Sequence, residues 1–229
     1  MRALSATELL SVWESGCSQL PLQRALTMLA VACPEVSSDS LGRLTIGQRD
    51  ARLLTLREIT FGSEITGVTE CPECGEKIEL SVNSPDIGPA TETEAPNELV
   101  VQANGREVRV RLPTSTDLLA VSTPEELLER CLLNGGEHAS ESFLAMVGEK
   151  MSSADPMADI ALALDCPNCE YQWEAPFDIV AFLWHEISTA ARRLLREVHT
   201  LASAYGWTEG EILTLSSARR HAYLEMIGA

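Results

Sequence analysis

Positive charge is what this 229-residue chain has least of: 17 Lys and Arg stand against 34 Asp and Glu, for a formal net charge of −17. The deficit is local. Between Glu58 and Glu186 there are 25 acids and 6 bases, whereas residues 1–57 and 187–229 are close to neutral. Such a middle repels phosphate backbones, which argues against nucleic acid as a partner. Long apolar runs are missing as well. The longest, Ala25 to Pro34, falls far short of the ~20 residues that span a bilayer, and Met1-Arg2 leads into a mixed segment rather than an apolar signal region. The expectation is a soluble protein with no membrane partner. Catalytic signatures are also absent: there is no phosphate loop, no Gly-x-Ser-x-Gly and no His-Glu-x-x-His. His185 and His199 stand fourteen residues apart, about four helical turns, so they cannot share a metal within one helix. The chain reads as a non-enzyme.

What is present is a pair of short cysteine motifs, Cys71-Pro72-Glu73-Cys74-Gly75 and Cys166-Pro167-Asn168-Cys169. Two thiols three positions apart on a tight turn aim both sulfurs at one point. Four thiolates from two such turns form the tetrahedral shell of a structural Zn2+, with Zn–S near ~2.3 Å. The pairs are separated by 91 residues, where compact ribbons use roughly 15–20. A single zinc held by Cys71, Cys74, Cys166 and Cys169 would therefore be split across a long insertion. No βαβ pattern precedes either motif, so metal is preferred to redox chemistry. Cys17, Cys33 and Cys131 sit in apolar, helix-like surroundings and read as small core residues in a reducing compartment.

Along the chain, residues 5–33 read as two helices broken by Gly16 and Pro21, the second with a stripe of Leu22, Leu26, Leu29, Ala30 and Cys33. Thr45 to Gln48 is a capping box that opens a helix to about Thr60. Arg49, Asp50, Arg52, Arg57 and Glu58 on that helix read as a solvated face. Residues 66–82 form the first zinc hairpin, with Gly75 supplying a positive φ. An acidic loop over 84–97 follows. Asn104-Gly105 then signals a type I′ turn that sets Val101 opposite Val108, Leu99 opposite Val110 and Glu98 opposite Arg111. Thr123-Pro124-Glu125-Glu126 caps a helix through Leu133, stopped by Asn134-Gly135-Gly136. Another helix covers about Glu141 to Lys150, and one more is expected through Ile160 and Leu164 into the second turn, after which Tyr171 and Trp173 alternate as in a strand. Glu170 stands where the first turn has glycine, so the second turn is the less ideal.

From Phe177 a helical stripe runs through Ile179, Phe182, Leu183, Ile187, Ala190, Leu194, Val198, Leu201 and Tyr205 for about seven turns. Gly206 ends it, and two short helices follow, capped by Thr208 and Ser216. Arg192, Arg193, Arg196, Arg219 and Arg220 are interrupted by glutamates, and read as a packing surface rather than a helix-turn-helix. Tyr205, Trp207, Arg219, Arg220 and Tyr223 combine the side-chain types enriched at binding hot spots and are the expected partner surface, the alternative being that Trp207 and Tyr223 pack the last helices onto the long one. The fold class is α+β and mainly helical: small antiparallel β-hairpins with a split four-cysteine zinc ribbon, and a long C-terminal helix followed by two short ones. The segments are 1–62 (N-terminal helical), 63–176 (zinc ribbon with acidic insertion) and 177–229 (C-terminal helical).

The order of elements resembles the baseplate hub assembly chaperone family of contractile-tailed, T-even-type phages, whose relatives also occur with phage-derived contractile injection systems. The resemblance lies in Ile46-Gly47-Gln48-Arg49-Asp50 with Leu53-Leu54, Leu56-Arg57 and Phe61-Gly62; in Arg111-Leu112-Pro113-Thr114 with Asp117-Leu118 and the two cysteine turns; and in Tyr205-Gly206-Trp207, Glu211-Ile212-Leu213, Arg219-Arg220 and Tyr223-Leu224. It spans most of residues 40–227, leaving out the first forty residues and the loops at 84–97 and 134–158. It implies a non-catalytic helper, in the cytoplasm of the producing bacterial cell, that contacts baseplate hub or tail proteins. A permanent structural baseplate component is the alternative. A zinc-ribbon regulator acting on nucleic acid or transcription machinery is a further one, disfavoured by the acidic middle.

Overall fold

A computed structural model describes the chain except residues 89–95, 97, 104–105, 135–140 and 229. The Asn104-Gly105 turn, most of the 84–97 loop and the Gly135-Gly136 helix stop lie outside the described residues. In chain order the helices are α1 (Ala6–Gly16), α2 (Pro21–Ala32), α3 (Ser38–Gly42), α4 (Ile46–Phe61), α5 (Ser84–Ile87), α6 (Ser115–Leu118), α7 (Pro124–Cys131), α8 (Glu141–Ala154), α9 (Ile179–Tyr205), α10 (Glu209–Thr214) and α11 (Ser217–Met226). The strands are β1 (Glu64–Glu70), β2 (Lys77–Asn83), β3 (Leu99–Ala103), β4 (Arg106–Val110), β5 (Ala161–Asp165) and β6 (Gln172–Pro176). The fold is α+β and mainly helical, as expected. No described helix is long and apolar enough to cross a membrane. The chain divides into two compact units, one of residues 1–34 with 180–229 and the other of residues 35–179.

In the first unit, helix starts follow local capping chemistry. The Ser5 and Thr208 hydroxyls accept the backbone N–H three residues on, and Glu8 and Glu211 reach back to close the box. The buried stripe of α9 includes Leu183, Ile187, Ala190, Leu194, Val198 and Leu201. On α2 the buried face is Ala25, Met28, Leu29 and Ala32, with Leu22 and Leu26 only half-buried. The expected stripe is thus rotated by about one residue at Leu22, Leu26 and Ala30, while Leu29 and Cys33 are buried as expected. Gly16 is required by space: a Cβ there would overlap the Trp184 ring, which also lies 4.4 Å from the Arg24 guanidinium carbon. Cys17, expected in the core, is exposed just beyond α1, while Cys33 and Cys131 are buried.

Among its described residues the second unit carries three separate two-stranded antiparallel sheets, β1–β2, β3–β4 and β5–β6. The β3–β4 register puts Leu99 opposite Val110 and Val101 opposite Val108, as the turn signal requires. Val101, Val108, Val110 and Leu112 join Cys131, Phe143, Val147 and Met151 in one apolar cluster with α7 and α8. Helix α7 ends at Cys131 rather than Leu133, because the chain turns extended and bridges Val110. Glu98 pairs with Arg109 at 3.5 Å instead of Arg111, whose guanidinium is taken by Asp117. The expected helix through Ile160 and Leu164 is strand β5. Its Ala-Leu-Ala-Leu-Asp run has period two, and pairing Leu162 with Ala175 and Leu164 with Trp173 satisfies it.

The charged residues of α4 are also a correction. Arg49, Asp50 and Arg57 are buried, at 7%, 8% and 3% exposure. Arg49 donates to both Asp50 oxygens, at 2.7 and 3.0 Å, so the two charges enter together. Burial pushes the Asp50 carboxyl up against this pull from Arg49, and the charges of Asp178 and Asp155 add to the rise. Arg57 donates to the Gly62 and Glu64 carbonyls, each at 2.6 Å, tying off the helix end. The α4 N-terminus is a junction. Thr45 forms the capping box with Gln48, the Ile46 amide donates to the Pro113 carbonyl, and the Thr116 hydroxyl donates to the Gly42 carbonyl. From 108 positions away, buried Asp155 accepts the Gly47 amide N–H at 3.0 Å.

Candidate metal centre

The two cysteine turns are built alike. In the first, the Gly75 amide donates to the Cys71 carbonyl and the Cys71 amide to the Glu76 carbonyl, both at 2.9 Å. In the second, Glu170 donates to Cys166 and Cys166 to Tyr171 with the same two lengths. Gly75 takes φ 73° and Glu170 takes φ 60°, the one non-glycine residue with positive φ among those described. Glu170 accepts a strained conformation to reproduce the glycine turn. Hairpins β1–β2 and β5–β6 place these turns at their tips.

The four Sγ atoms lie within 4.8 Å of one another. Across the hairpins, Cys71 approaches Cys169 at 3.7 Å and Cys74 approaches Cys166 at 3.6 Å. Four sulfurs at ~2.3 Å from a tetrahedral zinc are separated by about 3.8 Å, so the arrangement fits such an ion. The first cysteine of each turn is buried and the second exposed. The Glu76 backbone amide and the Asn168 carboxamide draw the Cys74 thiol down to about 7. At Cys169 the Tyr171 amide also pulls downward, yet loss of water and three neighbouring sulfurs push that thiol up to about 12. Four thiols at this spacing resist carrying four negative charges. A divalent cation removes the conflict by binding all of them as thiolates.

The expected partner residues divide. Tyr205, Trp207 and Tyr223 form an aromatic cluster: Tyr205 and Trp207 stack at 4.7 Å, and Tyr223 meets both edge-on at 5.6 and 4.9 Å. Tyr205 remains exposed and the other two are half-buried. Arg219 is exposed. Arg220 is not at the surface. It is 4% exposed and donates to Glu197 at 2.8 Å and to the Leu215 carbonyl at 2.7 Å, which makes it an internal tie. Glu197 also meets Arg193 at 3.4 Å. It lies 23 positions before Arg220, so no short-range pattern marks the pair.

A second polar centre joins Arg111, Thr114 and Asp117, which the sequence marks only as resemblance motifs, to Arg130, which it does not mark. Buried Asp117 takes two hydrogen bonds from Arg111, at 2.6 and 2.8 Å, and one from Arg130 at 2.8 Å. The Thr114 amide and hydroxyl donate to it as well, at 3.0 and 2.7 Å. Burial alone would raise its pKa, but Arg111, Thr114 and Arg130 together hold it far below the usual carboxylate range. The Thr114-x-x-Asp117 spacing is a capping box, and that is the available signal. Cys131 nearby is pushed up to about 11 by burial, as befits an inert core thiol.

A family model described as T4 bacteriophage base plate protein matches residues 9–134, more than half of the chain. Neither a curated protein nor a solved structure matches it. The matched span includes Cys71 and Cys74 and stops before Cys166 and Cys169.

Proposed function

We propose, for a chain that belongs to the T4 bacteriophage base plate protein family, that it assists assembly of the baseplate hub without catalysing a reaction. The assembly is that of a contractile phage tail or a phage-derived injection system, in the cytoplasm of the producing cell. The family match supports the baseplate role and a reading in which other baseplate proteins are the partners. The helper role is supported by the aromatic cluster at Tyr205, Trp207 and Tyr223, beside chain ends of near-neutral charge that suit protein contacts. Zinc bound by Cys71, Cys74, Cys166 and Cys169 staples two hairpins that have little core of their own. The reading is supported by the 3.6–3.7 Å sulfur separations.

Deleting the gene tests the role. Cells should remain viable but yield no complete contractile particles, with hub proteins unassembled or aggregated, because a helper covers surfaces exposed before assembly. Normal particles in the deletion strain, counted by electron microscopy, would remove the baseplate role altogether. The second reading, a permanent structural component, is favoured by the family's own description as a base plate protein. Mass spectrometry of purified mature particles separates the two, since a helper is absent and a component is present at stoichiometric level. Trp207→Ala and Arg219→Ala should weaken capture of hub proteins, the tryptophan by about 2 kcal/mol if it is a hot spot. Arg220 belongs to the fold and not to this test.

A further inference from the structure

The two turns differ at the third residue of each motif, where only the second carries a side-chain donor. Cys74 and Cys169 are equivalent in position, both exposed, and each is influenced by the backbone amide two residues on, from Glu76 and Tyr171 respectively. The third residue of each Cys-Pro-x-Cys motif breaks the equivalence. In the second turn it is Asn168, whose carboxamide nitrogen reaches across to Cys74 Sγ at 3.7 Å. In the first turn it is Glu73, an exposed residue whose carboxylate has no N–H to offer. An N–H aimed at a thiolate spreads its charge and lowers its nucleophilicity. A carboxylate in the same place would repel it. Cys74 therefore has a side-chain donor from the opposite hairpin, and Glu73, at the matching position of the first turn, cannot give Cys169 the same.

We propose that Asn168 is a positioning residue of the metal centre, holding the two cysteine turns in register through Cys74 and leaving Cys169 as the first ligand to be lost. The inference rests on the zinc reading. Groups just outside a metal's ligands are worth about 10–100-fold in affinity, and an interaction that crosses between the hairpins also opposes their separation.

The test uses the full chain with Cys17→Ser, because exposed Cys17 would otherwise compete for reagent. Zinc content is measured first by elemental analysis, and a chain without zinc overturns the staple itself. With zinc bound, sub-stoichiometric N-ethylmaleimide and peptide mapping should find Cys169 modified before Cys74. Asn168→Ala should bring the two rates together and weaken zinc about tenfold in a chelator competition, and Asn168→Asp should move affinity toward the hundredfold end of that range. Glu73→Asn, which installs a matching donor, should slow modification of Cys169. These changes lie at exposed positions, and helix content by circular dichroism checks that each variant folds. Equal modification of Cys74 and Cys169 in the parent chain, or zinc affinity unchanged in both Asn168 variants, would overturn the proposal while leaving the zinc staple standing.

Discussion

Hairpins β1–β2 and β3–β4 are sheets of the same kind in the same unit, held by different means. The β3–β4 hairpin turns Val101, Val108 and Val110 into an apolar cluster closed by Phe143, Val147 and Met151. Along β1–β2 only Ile65 is fully buried, and on β5–β6 no residue is. A lone two-stranded hairpin is marginal in water. The cysteine-tipped pair has little side-chain burial where β3–β4 has an apolar cluster, and its four clustered thiols are compatible with the metal staple proposed above. Small sheets without a shared core gain from a cross-link, and the metal proposed at the four clustered thiols would supply one.

The strongest way to break the comparison is to remove the metal. Structural zinc contributes ~10–16 kcal/mol of apparent binding free energy in small peptides. Chelation or Cys166→Ser should therefore abolish amide-exchange protection in β1–β2 and β5–β6 while β3–β4 stays protected. Loss of protection in all three sheets would show that the second unit is one cooperative body.

Asp117→Ala attacks the other side. It strands Arg111 and Arg130, both partly solvated, so the cost should be about 3 kcal/mol, at the low end for a broken buried pair. It should leave zinc content intact. The sign with pH follows from the lowered folded-state pKa. The Asp117 contribution is present above the unfolded carboxylate value near ~3.9 and is lost as pH falls below it toward the folded value. The variant should therefore show a flatter acid limb in thermal melts. Asp50 works in the opposite sense: its raised pKa makes its contribution largest at low pH and smaller as pH rises through the folded value.

Gly47→Ala should cost about 1–3 kcal/mol by overpacking. Its Cβ would overlap the Asp155 carboxylate, which must leave the Gly47 amide. A lowered melting temperature with unchanged zinc would place this junction with the packed region rather than the stapled one. The smallest effect compares the two turns with each other. Glu170→Gly should relieve the left-handed backbone and stabilise the zinc-loaded chain by up to ~1 kcal/mol, less the entropy that glycine adds to the unfolded state. Chemical denaturation of loaded protein reads this difference.

Much of the local structure is legible because its causes lie within four residues. Thr45, Thr208 and Ser216 cap α4, α10 and α11 through contacts three positions on, and the cysteine spacing needs only one turn. The buried charges of α4 are partly legible too. The stripe that buries Leu53, Leu54 and Leu56 passes at helical spacing through Arg49, Asp50 and Arg57, but their charge argues for solvent and masks the period. Strand β5 is hidden because five alternating residues are too short to choose a strand without the partner that follows the turn.

The sequence by itself determined the two cysteine turns, the caps, and the long stripe of α9, since spacing along one chain sets which atoms a turn or helix face can present. Only the tertiary structure decided that Asp155 closes the helix start at Gly47, that Glu197 takes Arg220 inward, and that residues 1–34 join 180–229 in one unit. A charged side chain goes inside where partners take up its hydrogen bonds or offset its charge, as carbonyls do for Arg57 and Glu197 does for Arg220. Those partners can stand anywhere in the chain, so burial of charge is a property of the folded whole and not of any segment.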